Sequence, residues 1–455
     1  MSYQQIKKFF WIFSLLILFF IPCFSYTQDY GVAAVDDSHK ILPERERARV
    51  MNEWLKWRLD NIIPKLMRRE GIDMWLIINR EYNEDPVYMS LVPEPTMAAR
   101  RTSILIFHDR GKELGVERLS GSYYGIGDLY KGTWTDKKKK QFESLAEVIK
   151  KCNPKKIGIN VSSTWAFGDG LTASLKEKVE KALGPEYSSR FVSAENLCVG
   201  WLETRSPQEL SVYRHICGIA HDIITEFYSN KVITPDVTTT EDVVWWIRQK
   251  TTDLGLEIWF QPSISIQRHK EEAAKYKDNR KVIRRGDLLH CDVGIVYLGL
   301  CTDMQWQAYV CKIGEDDAPE GLKEALRRTN KLGDIFRNEF KTGRSGNDIV
   351  NSAMKKGAEE GLRLLIYSHP VGFHGHAAGP PMDARSPERA PEGVLDRMKY
   401  PLYPNTVYAI EYSCTTSIPE WGGQDVRISF EETAVYTEQG CKFIDGHQIK
   451  FYLIK

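Results

Sequence analysis

The sequence predicts a two-domain protein, with an α/β N-terminal domain at residues 45–200 and a second domain of helices and strands at residues 201–455. Three observations predict this fold class. The chain has 455 residues, which is enough for roughly two to three domains of ~150 residues. In the first region, helix-like and strand-like segments alternate, which is typical of a layered α/β structure. Near residue 205 the pattern changes to two long helices followed by runs of strand-like sequence.

The first domain begins with an amphipathic helix predicted from Arg45 to Arg69. Short apolar segments at 74–78 and 103–107 predict buried strands. A second helix is predicted from Gln141 to Cys152, and a further strand follows at 156–160. The sequence of this half contains no recognisable nucleophile, metal-ligand cluster or phosphate loop, so we expect it to have no chemistry of its own.

The second domain is predicted to begin with a long helix that runs through Tyr228. Ser206 is a natural N-cap, and Pro207 is a natural first helical residue. Another helix is expected to begin at Thr238 or Thr239 and to end near Thr251. The remaining segments are predicted in the order strands, helix, helix, strand and strand, at 280–312, 320–339, 345–361, 406–417 and 425–437.

Residues 1–25 have the pattern of a secretory signal peptide. Two lysines precede an apolar stretch from Phe9 to Pro22, and cleavage is expected after Ser25. The stretch is shorter than the ~20 residues that span a bilayer, and an uncleaved anchor is the alternative interpretation. Residues 26–44 form a polar leader. We therefore expect a periplasmic or secreted protein that makes no membrane contact after cleavage.

The composition excludes some partners. Hydrophobic residues make up 42% of the chain, which suits a large core, and the formal net charge is +1. Because neither sign of charge dominates, nucleic acid is not an expected partner. Cys23 belongs to the signal peptide, and the remaining cysteines contain no CxxC pair. A cysteine zinc site is therefore not expected, and the disulfide pairing stays open.

Two aspartates, Asp292 and Asp303, lie eleven positions apart in strand-like sequence. On one straight strand this odd spacing would direct them to opposite faces. A hairpin that turns near Leu298 and Gly299 would instead bring both to one place. Two buried carboxylates repel each other there unless a cation lies between them. The alternative is a pair of surface aspartates beside a turn.

Other candidate ligands come from a histidine-rich loop and from two apolar strands. His369, His374 and His376 fall within eight residues among glycines and prolines, and neutral imidazole is a common nitrogen ligand. A histidine-rich surface loop is the alternative. Glu411 and Glu431 each interrupt an apolar strand, where a buried carboxylate needs a partner. With the aspartates, this mostly oxygen donor set suits two divalent ions.

In their order along the chain, these motifs resemble those of the pita-bread metallopeptidases, which include methionine aminopeptidase, aminopeptidase P and prolidase. The motifs are Asp-x10-Asp, His-x-x-Gly-x-x-x-His, Ile-Glu, and Glu-Glu followed by Thr-x-x-Gly. The segment 205–209 and the α/β half resemble the aminopeptidase P and prolidase branch. The resemblance covers residues 45–455. It implies an α/β creatinase-like N-terminal domain and an α+β pita-bread catalytic domain.

The resemblance also implies a dinuclear metallopeptidase that hydrolyses Xaa-Pro bonds in dipeptides or short peptides, acting as a homodimer. Asp292 is then expected to hold one divalent ion, and His369 and Glu411 the other. Asp303 and Glu431 are expected to bridge both ions, with a metal-bridging hydroxide as the nucleophile. Manganese is the expected metal, and cobalt, zinc or iron are alternatives.

Substrate-handling residues follow from the same resemblance. His369 is followed by Gly372, Phe373 and His376 at the spacing of the family. We therefore expect His369 to be the ligand and His376 to stabilise the tetrahedral intermediate. The opposite register of this loop, with His376 as ligand, remains open. The expected substrate-binding residues are His269, His374 and Arg427.

The sequence departs from the family pattern in the residues that handle protons. Leu365 stands where a histidine is usual, and Lys275 stands where a substrate-facing histidine is expected. Arg427 is displaced by two residues from its usual spacing. Two alternatives to a peptidase therefore remain: a non-peptidase hydrolase on the same fold, as creatinase is, or a catalytically weakened binding protein. Creatinase lacks the metal ligands, whereas the lost histidines favour the binding protein.

Overall fold

The structure is a computed structural model that describes residues 41–276, 281–385 and 393–455. The predicted signal peptide and residues 26–40 of the polar leader lie outside the described residues. Within those ranges, none of the helices is both long and apolar enough to cross a membrane. The eight cysteines from Cys152 onwards are all free thiols, and all but Cys152 are buried.

The N-terminal half is a mixed sheet with helices on both faces. The sheet has the strand order β4-β3-β2-β1-β5-β6, with the central β1 antiparallel to β2 and parallel to β5. The elements are α1 Glu44–Asn61, α2 Ile63–Glu70, β1 Met74–Arg80, β2 Thr102–Asp109, β3 Val116–Ser120, β4 Lys131–Gly132, α3 Gln141–Cys152, β5 Ile157–Ile159, α4 Ala173–Leu183, α5 Pro185–Ser188, β6 Phe191–Ser193 and α6 Glu195–Glu203.

Strand β1 shows why both faces of this sheet are covered. Trp75 and Ile77 pack with α1 and α2, whereas Met74, Leu76 and Ile78 pack with α3 and α4. Alternate side chains of a strand point to opposite faces, so an uninterrupted apolar run needs helices on both sides. The alternation of helix and strand in the sequence predicted this layered arrangement.

The predicted single helix from Arg45 to Arg69 is wrong in one respect. The structure has two helices, because α1 ends at Asn61 and α2 begins at Ile63. Pro64 lies in the first turn of α2, where its missing N–H group costs nothing, whereas in the interior of a longer helix it would remove a hydrogen bond.

The C-terminal half contains longer helices and three further sheets. Their strand orders are β11-β10-β7, β18-β12-β9-β8 and β14-β13-β15-β16-β17. The elements are α7 Pro207–Phe227, α8 Thr240–Asp253, β7 Glu257–Ile258, β8 Ser263–Gln267, α9 Lys270–Lys275, β9 Leu288–Asp292, β10 Ile295–Tyr297, β11 Leu300–Cys301, β12 Gln307–Val310, α10 Glu320–Arg337, α11 Gly346–Glu359, β13 Arg363–Pro370, β14 Met382–Asp383, α12 Val394–Arg397, β15 Thr406–Ile418, β16 Gln424–Thr437, β17 Gly440–Phe443 and β18 Tyr452–Ile454.

Local sequence signals explain how this half is connected. Helix α7 begins with the predicted cap, in which the Glu209 N–H group donates to Ser206 Oγ and the Glu209 carboxylate accepts from the Ser206 N–H group. The predicted hairpin forms between β10 and β11. Its two turn residues, Leu298 and Gly299, have φ of 53° and 69°, as a two-residue type I′ turn requires.

The long strand β15 separates the core from the candidate site. Ile410 and Tyr412 lie in the main hydrophobic core with Leu332 and Phe336 of α10. Because side chains alternate along a strand, Glu411 must point to the opposite face of the sheet. The packing of α10 therefore determines which face of β15 is available for chemistry.

Candidate metal centre

The predicted acidic ligands lie in register across neighbouring strands. Glu411 on β15 is paired directly with Glu431 on β16, and Glu431 forms an antiparallel bridge with Gln305. The pairs Gln307–His290 and Met304–Val293 set Asp292 opposite Gln305. Directly opposed side chains share one face of a sheet. Asp292, Gln305, Glu431 and Glu411 therefore form one row, which we call the acidic row.

A second row lies two residues further along the same strands. The Asp303 N–H group donates to Thr433 Oγ1 over 3.2 Å, Thr433 is paired with Ala409, and Ala409 is paired with His369. A shift of two residues preserves the face of a strand. Asp303 and His369 consequently point to the same side as the acidic row. The structure thus brings together all five residues that the sequence predicted as metal ligands.

Three of these five side chains meet closely. His369 Nε2 lies 3.4 Å from Asp303 Oδ2 and 3.5 Å from Glu431 Oε1. One ligand atom from each of the three residues lies within 4.8 Å of the other two, and all three residues are buried. Asp303 Oδ1 and Glu431 Oε1 are buried without a hydrogen-bond partner. Such oxygens are rare in folded proteins and call for a cation or a proton.

The tautomer of His369 fits a ligand role. Its Nδ1 lies 2.9 Å from the carbonyl oxygen of Pro370, which only accepts hydrogen bonds, so Nδ1 carries the proton. The lone pair of neutral His369 is then on Nε2 and faces Asp303 and Glu431. This arrangement of an oriented imidazole and two carboxylates is the donor set that a divalent ion requires.

Burial strongly perturbs the carboxylates of the site. Burial and the charges of Glu431 and Glu411 raise the pKa of Asp292 to about 8. Burial and the charge of Glu431 raise the pKa of Glu411 to about 8. The pKa of Asp303 and that of Glu431 rise to about 7, chiefly through burial. Clustered carboxylates of this kind bind protons near neutral pH unless a cation neutralises them.

His369 shows the opposite response to its surroundings. Burial alone would lower its pKa, but the neighbouring carboxylates of Asp303 and Glu431 raise that pKa well above the ordinary value. The metal-free site therefore attracts a proton at His369 Nε2. A divalent ion would take the place of that proton, so the five residues fit a metal centre in their donor types, burial and unpaired oxygens.

Gln305 and His290 were not predicted from the sequence as site residues. Gln305 Nε2 donates to Glu431 Oε2 over 2.8 Å and to Glu411 Oε1 over 3.0 Å. His290 Nε2 lies 2.9 Å from Gln305 Oε1. Gln305 follows Asp303 by two residues, and His290 precedes Asp292 by two. That even spacing in strand-like sequence was the available signal, because it places each residue on the same face as its aspartate.

The segment after His369 carries an aromatic ring that two buried arginines contact. The guanidinium carbons of Arg205 and Arg58 lie 4.3 Å and 4.9 Å from the ring centroid of Phe373. Both arginines are almost fully buried, and both bond to the buried carboxylate of Glu209. Arg58 belongs to α1, so the N-terminal half contacts the loop that carries the candidate histidines.

His374 and His376 lie on this loop and face different neighbours. The ring of His374 packs on Phe167 of the N-terminal half, with centroids 4.8 Å apart. His376 is partly exposed and contacts the rings of His369 at 4.5 Å and Trp259 at 5.3 Å. The burial of part of its ring and the charge of His369 lower the pKa of His376 to about 4, which keeps it neutral at neutral pH.

The other two predicted substrate-binding residues are placed differently. Arg427 lies on β16 four residues before Glu431 and on the same face; it is exposed, and its Nε donates to Ser413 Oγ over 2.9 Å. His269 precedes α9 and contacts Trp421, with ring centroids 6.1 Å apart. Trp421 follows β15, whose last residue is seven positions from Glu411, or roughly 20 Å along a strand. His269 is therefore not brought to the acidic row, and its role in binding substrate stays a prediction.

A family model supports the geometry. The model of metallopeptidase family M24 matches residues 211–438, a range that includes the acidic row and His369. The chain belongs to metallopeptidase family M24. Its fold is accordingly the pita-bread fold, with an additional α/β half before it, and divalent metal ions are the cofactors of this family.

Solved structures are similar over most of the chain. An X-Pro aminopeptidase from Thermotoga maritima superposes with a TM-score of 0.58 at 18% identity, over 86% of this chain and 99% of the other. An Xaa-Pro dipeptidase from Bacillus anthracis gives 0.54 at 17%, over 89% and 99%. A prolidase from Pyrococcus horikoshii gives 0.53 at 18%, over 89% and 99%. Among curated protein sequences, none matches this chain significantly. At these identities the solved structures support the fold.

Proposed function

We propose that the protein is an exported dinuclear exopeptidase, and that it hydrolyses Xaa-Pro bonds in dipeptides or short peptides as a homodimer. One observation carries the proposal: five donor side chains lie on one face, those of Asp292, Asp303, His369, Glu411 and Glu431, with buried oxygens of Asp303 and Glu431 left unpaired. The similarity of the whole chain to an X-Pro aminopeptidase and an Xaa-Pro dipeptidase supports the substrate class.

The resemblance to the family implies how the ligand roles are divided. Asp292 would hold one ion, His369 and Glu411 the other, and Asp303 and Glu431 would bridge both. When bound, the ions would supply the Lewis acidity that lowers the pKa of a water molecule and polarises the scissile carbonyl. Manganese is the proposed metal, and cobalt, zinc or iron are the alternatives.

The chain's own side chains would orient the substrate and stabilise charge. His376 is neutral and partly exposed beside His369, so its N–H group can donate to the oxygen that becomes negative as the carbonyl is attacked. Trp259 forms an apolar wall next to His376, and its Nε1 is fixed by a 2.8 Å hydrogen bond to the Thr302 carbonyl oxygen. Arg427 offers a positive charge on the same face for an anionic peptide terminus.

The N-terminal half supports a preference for short peptides. Phe167 packs on His374, and Arg58 packs on Phe373, so this half is in contact with the histidine loop. A wall of this kind beside the site would limit the length of peptide that can enter. We propose the same half as the dimer contact, as the resemblance implies. The export proposal depends only on residues 1–25, whose sequence resembles a signal peptide.

The test is a hydrolysis assay with the full-length mature protein and a panel of peptides. The panel contains Xaa-Pro and Xaa-Ala dipeptides, tripeptides and longer peptides, with chelated and with manganese- or cobalt-loaded enzyme. The proposal predicts metal-dependent cleavage of Xaa-Pro dipeptides or short peptides and poor cleavage of long ones. Equal rates on Xaa-Pro and Xaa-Ala would overturn the proline preference, and full activity of chelated enzyme would overturn the metal mechanism.

A catalytically weakened binding protein is the second candidate. The observation that favours it is the altered histidine shell: Leu365 and Lys275 replace expected histidines, and His269 lies beside Trp421 instead. This candidate predicts that the loaded protein binds Xaa-Pro peptides but cleaves none of the panel. Binding measured by calorimetry, with no cleavage, would favour it over the exopeptidase.

A further inference from the structure

Glu431, the proposed bridging ligand, and Glu411, the proposed ligand of one ion, lie in an unusual arrangement. Glu411 and Glu431 are directly opposed on adjacent antiparallel strands, where two like charges destabilise a sheet. Gln305 lies beside Glu431 in the acidic row. Its Nε2 donates hydrogen bonds to both carboxylates, over 3.0 Å to Glu411 Oε1 and over 2.8 Å to Glu431 Oε2. One NH₂ group therefore spans the two glutamates.

The orientation of this amide is fixed by its other neighbour. If the Gln305 amide were reversed, its oxygen would face the two carboxylates, which in the ionised form that binds a metal accept hydrogen bonds only. In the observed orientation, Gln305 Oε1 faces His290 Nε2 at 2.9 Å, and His290 Nδ1 lies 3.2 Å from Ser265 Oγ. His290 Nε2 must carry the proton, and Nδ1 can accept the proton of the Ser265 hydroxyl. Each hydrogen bond from Ser265 through His290 and Gln305 to the two glutamates therefore joins a donor to an acceptor.

The amide also selects which carboxylate oxygens stay free. Gln305 binds Glu431 Oε2, and the other oxygen, Oε1, is buried without a hydrogen-bond partner 3.5 Å from His369 Nε2. The Gln305 backbone reinforces this arrangement, because its N–H and C=O groups bond to those of Glu431 over 3.0 Å and 3.2 Å. Glu431 is thus held with one oxygen turned to Gln305 and one turned to His369.

We propose that Gln305, oriented by His290, is a positioning residue that pre-organises Glu411 and Glu431 for metal binding. The inference rests on the proposed function only in assigning the metal to these glutamates. Hydrogen-bonding partners of metal ligands typically change metal affinity or activity by about 10–100-fold when they are removed. The effect of Gln305 is expected in that range, because its amide contacts two ligands at once.

The sequence provides a matched control two residues away. Gln307 is also buried, but its Nε2 bonds to the backbone carbonyl of Ser429 and not to a metal carboxylate. Gln305→Met and Gln307→Met remove the same amide group from neighbouring positions and keep the side-chain length. If both amides only form hydrogen bonds to buried polar groups and neither positions a metal ligand, the two variants will change metal binding equally.

The experiment measures manganese affinity by calorimetry and the visible absorption spectrum of the cobalt-loaded protein, neither of which requires peptidase activity. Gln305→Met is expected to weaken manganese binding by about 10–100-fold and to change the cobalt spectrum, whereas Gln307→Met keeps both at wild-type values. Wild-type affinity and an unchanged spectrum in Gln305→Met would overturn the proposal. A wild-type protein that binds no metal would overturn the proposed function itself.

Variants of His290 test the orienting contact without removing Gln305. His290→Gln retains a donor that can reach Gln305 Oε1, and is expected to keep manganese affinity close to wild type. His290→Leu removes the donor and should weaken binding. When added to Gln305→Met, His290→Leu should weaken binding no further, because the two act through one amide. Independent, additive losses, or equal losses in the Gln and Leu variants, would contradict the role of His290.

Discussion

The contacts of Phe373 with two buried arginines lead to a quantitative prediction for the histidine loop. Arg58 and Arg205 lie over its ring at 4.9 Å and 4.3 Å and are 1% and 2% exposed. A desolvated cation–π contact contributes about 2 kcal/mol, and an exposed one ~0.5–1 kcal/mol. Phe373→Leu keeps an apolar side chain but removes both contacts, so we expect a loss of roughly 2–4 kcal/mol in the free energy of unfolding.

Phe443 provides the control for this substitution. It is also a partly buried phenylalanine, but among residues 41–276, 281–385 and 393–455 a single arginine, Arg337, lies over its ring, at 4.2 Å. The Arg337 side chain is 20% exposed, so Phe443→Leu should lose about 1 kcal/mol from the single cation–π contact.

Urea denaturation of the two variants, followed by tryptophan fluorescence, measures the difference. The larger loss is expected in Phe373→Leu, at about 1–3 kcal/mol beyond the loss in Phe443→Leu. Equal losses in the two variants would refute the argument, because they would show that contact with the Phe373 ring does not stabilise the two buried arginines.

Two further predictions concern the metal centre. His369→Ala should lose metal, whereas His376→Ala should retain metal and lose turnover by ~100–1000-fold; metal analysis beside initial rates distinguishes them, and the reverse pattern would assign His376 as the ligand. In metal-free protein the pKa values of Asp292 and Glu411 are raised to about 8, above the unfolded values near 4, so unfolding near neutral pH releases protons. The unfolding temperature of chelated protein should therefore fall as pH rises from about 4 to 8. Metal addition should release more protons at pH 6 than at pH 9. An unfolding temperature that does not depend on pH would contradict the raised pKa values.

Features that a few neighbouring residues determine, such as a helix cap and a turn, were predicted correctly from the sequence. Ser206 and Pro207 predicted the start of α7 because capping is determined within four residues. The turn at Leu298 and Gly299 predicted a hairpin that places Asp292 and Asp303 on one face. The spacing of the motifs sufficed to predict the family and the five residues that the strands bring together.

Other features depended on contacts between distant segments. Even spacing from Asp303 and Asp292 was the available sequence signal for Gln305 and His290, and their significance comes from the register that sets Gln305 between Asp292 and Glu431. His269 was expected to bind substrate because of its position in the chain, and the structure places it beside Trp421, away from the acidic row. Spacing in the sequence could not predict these placements, because they depend on how segments that are distant in the sequence pair and pack.

The number of metal ions bound per chain tests the central claim most directly. Protein that has been loaded with manganese and freed of excess metal should contain about two ions per chain by elemental analysis. Because Glu431 is proposed to bridge both ions, Glu431→Gln should lose both, whereas Asp292→Asn should lose one and retain the other. A wild-type protein that holds no ion, or a Glu431→Gln variant that still holds two, would contradict the proposed metal centre.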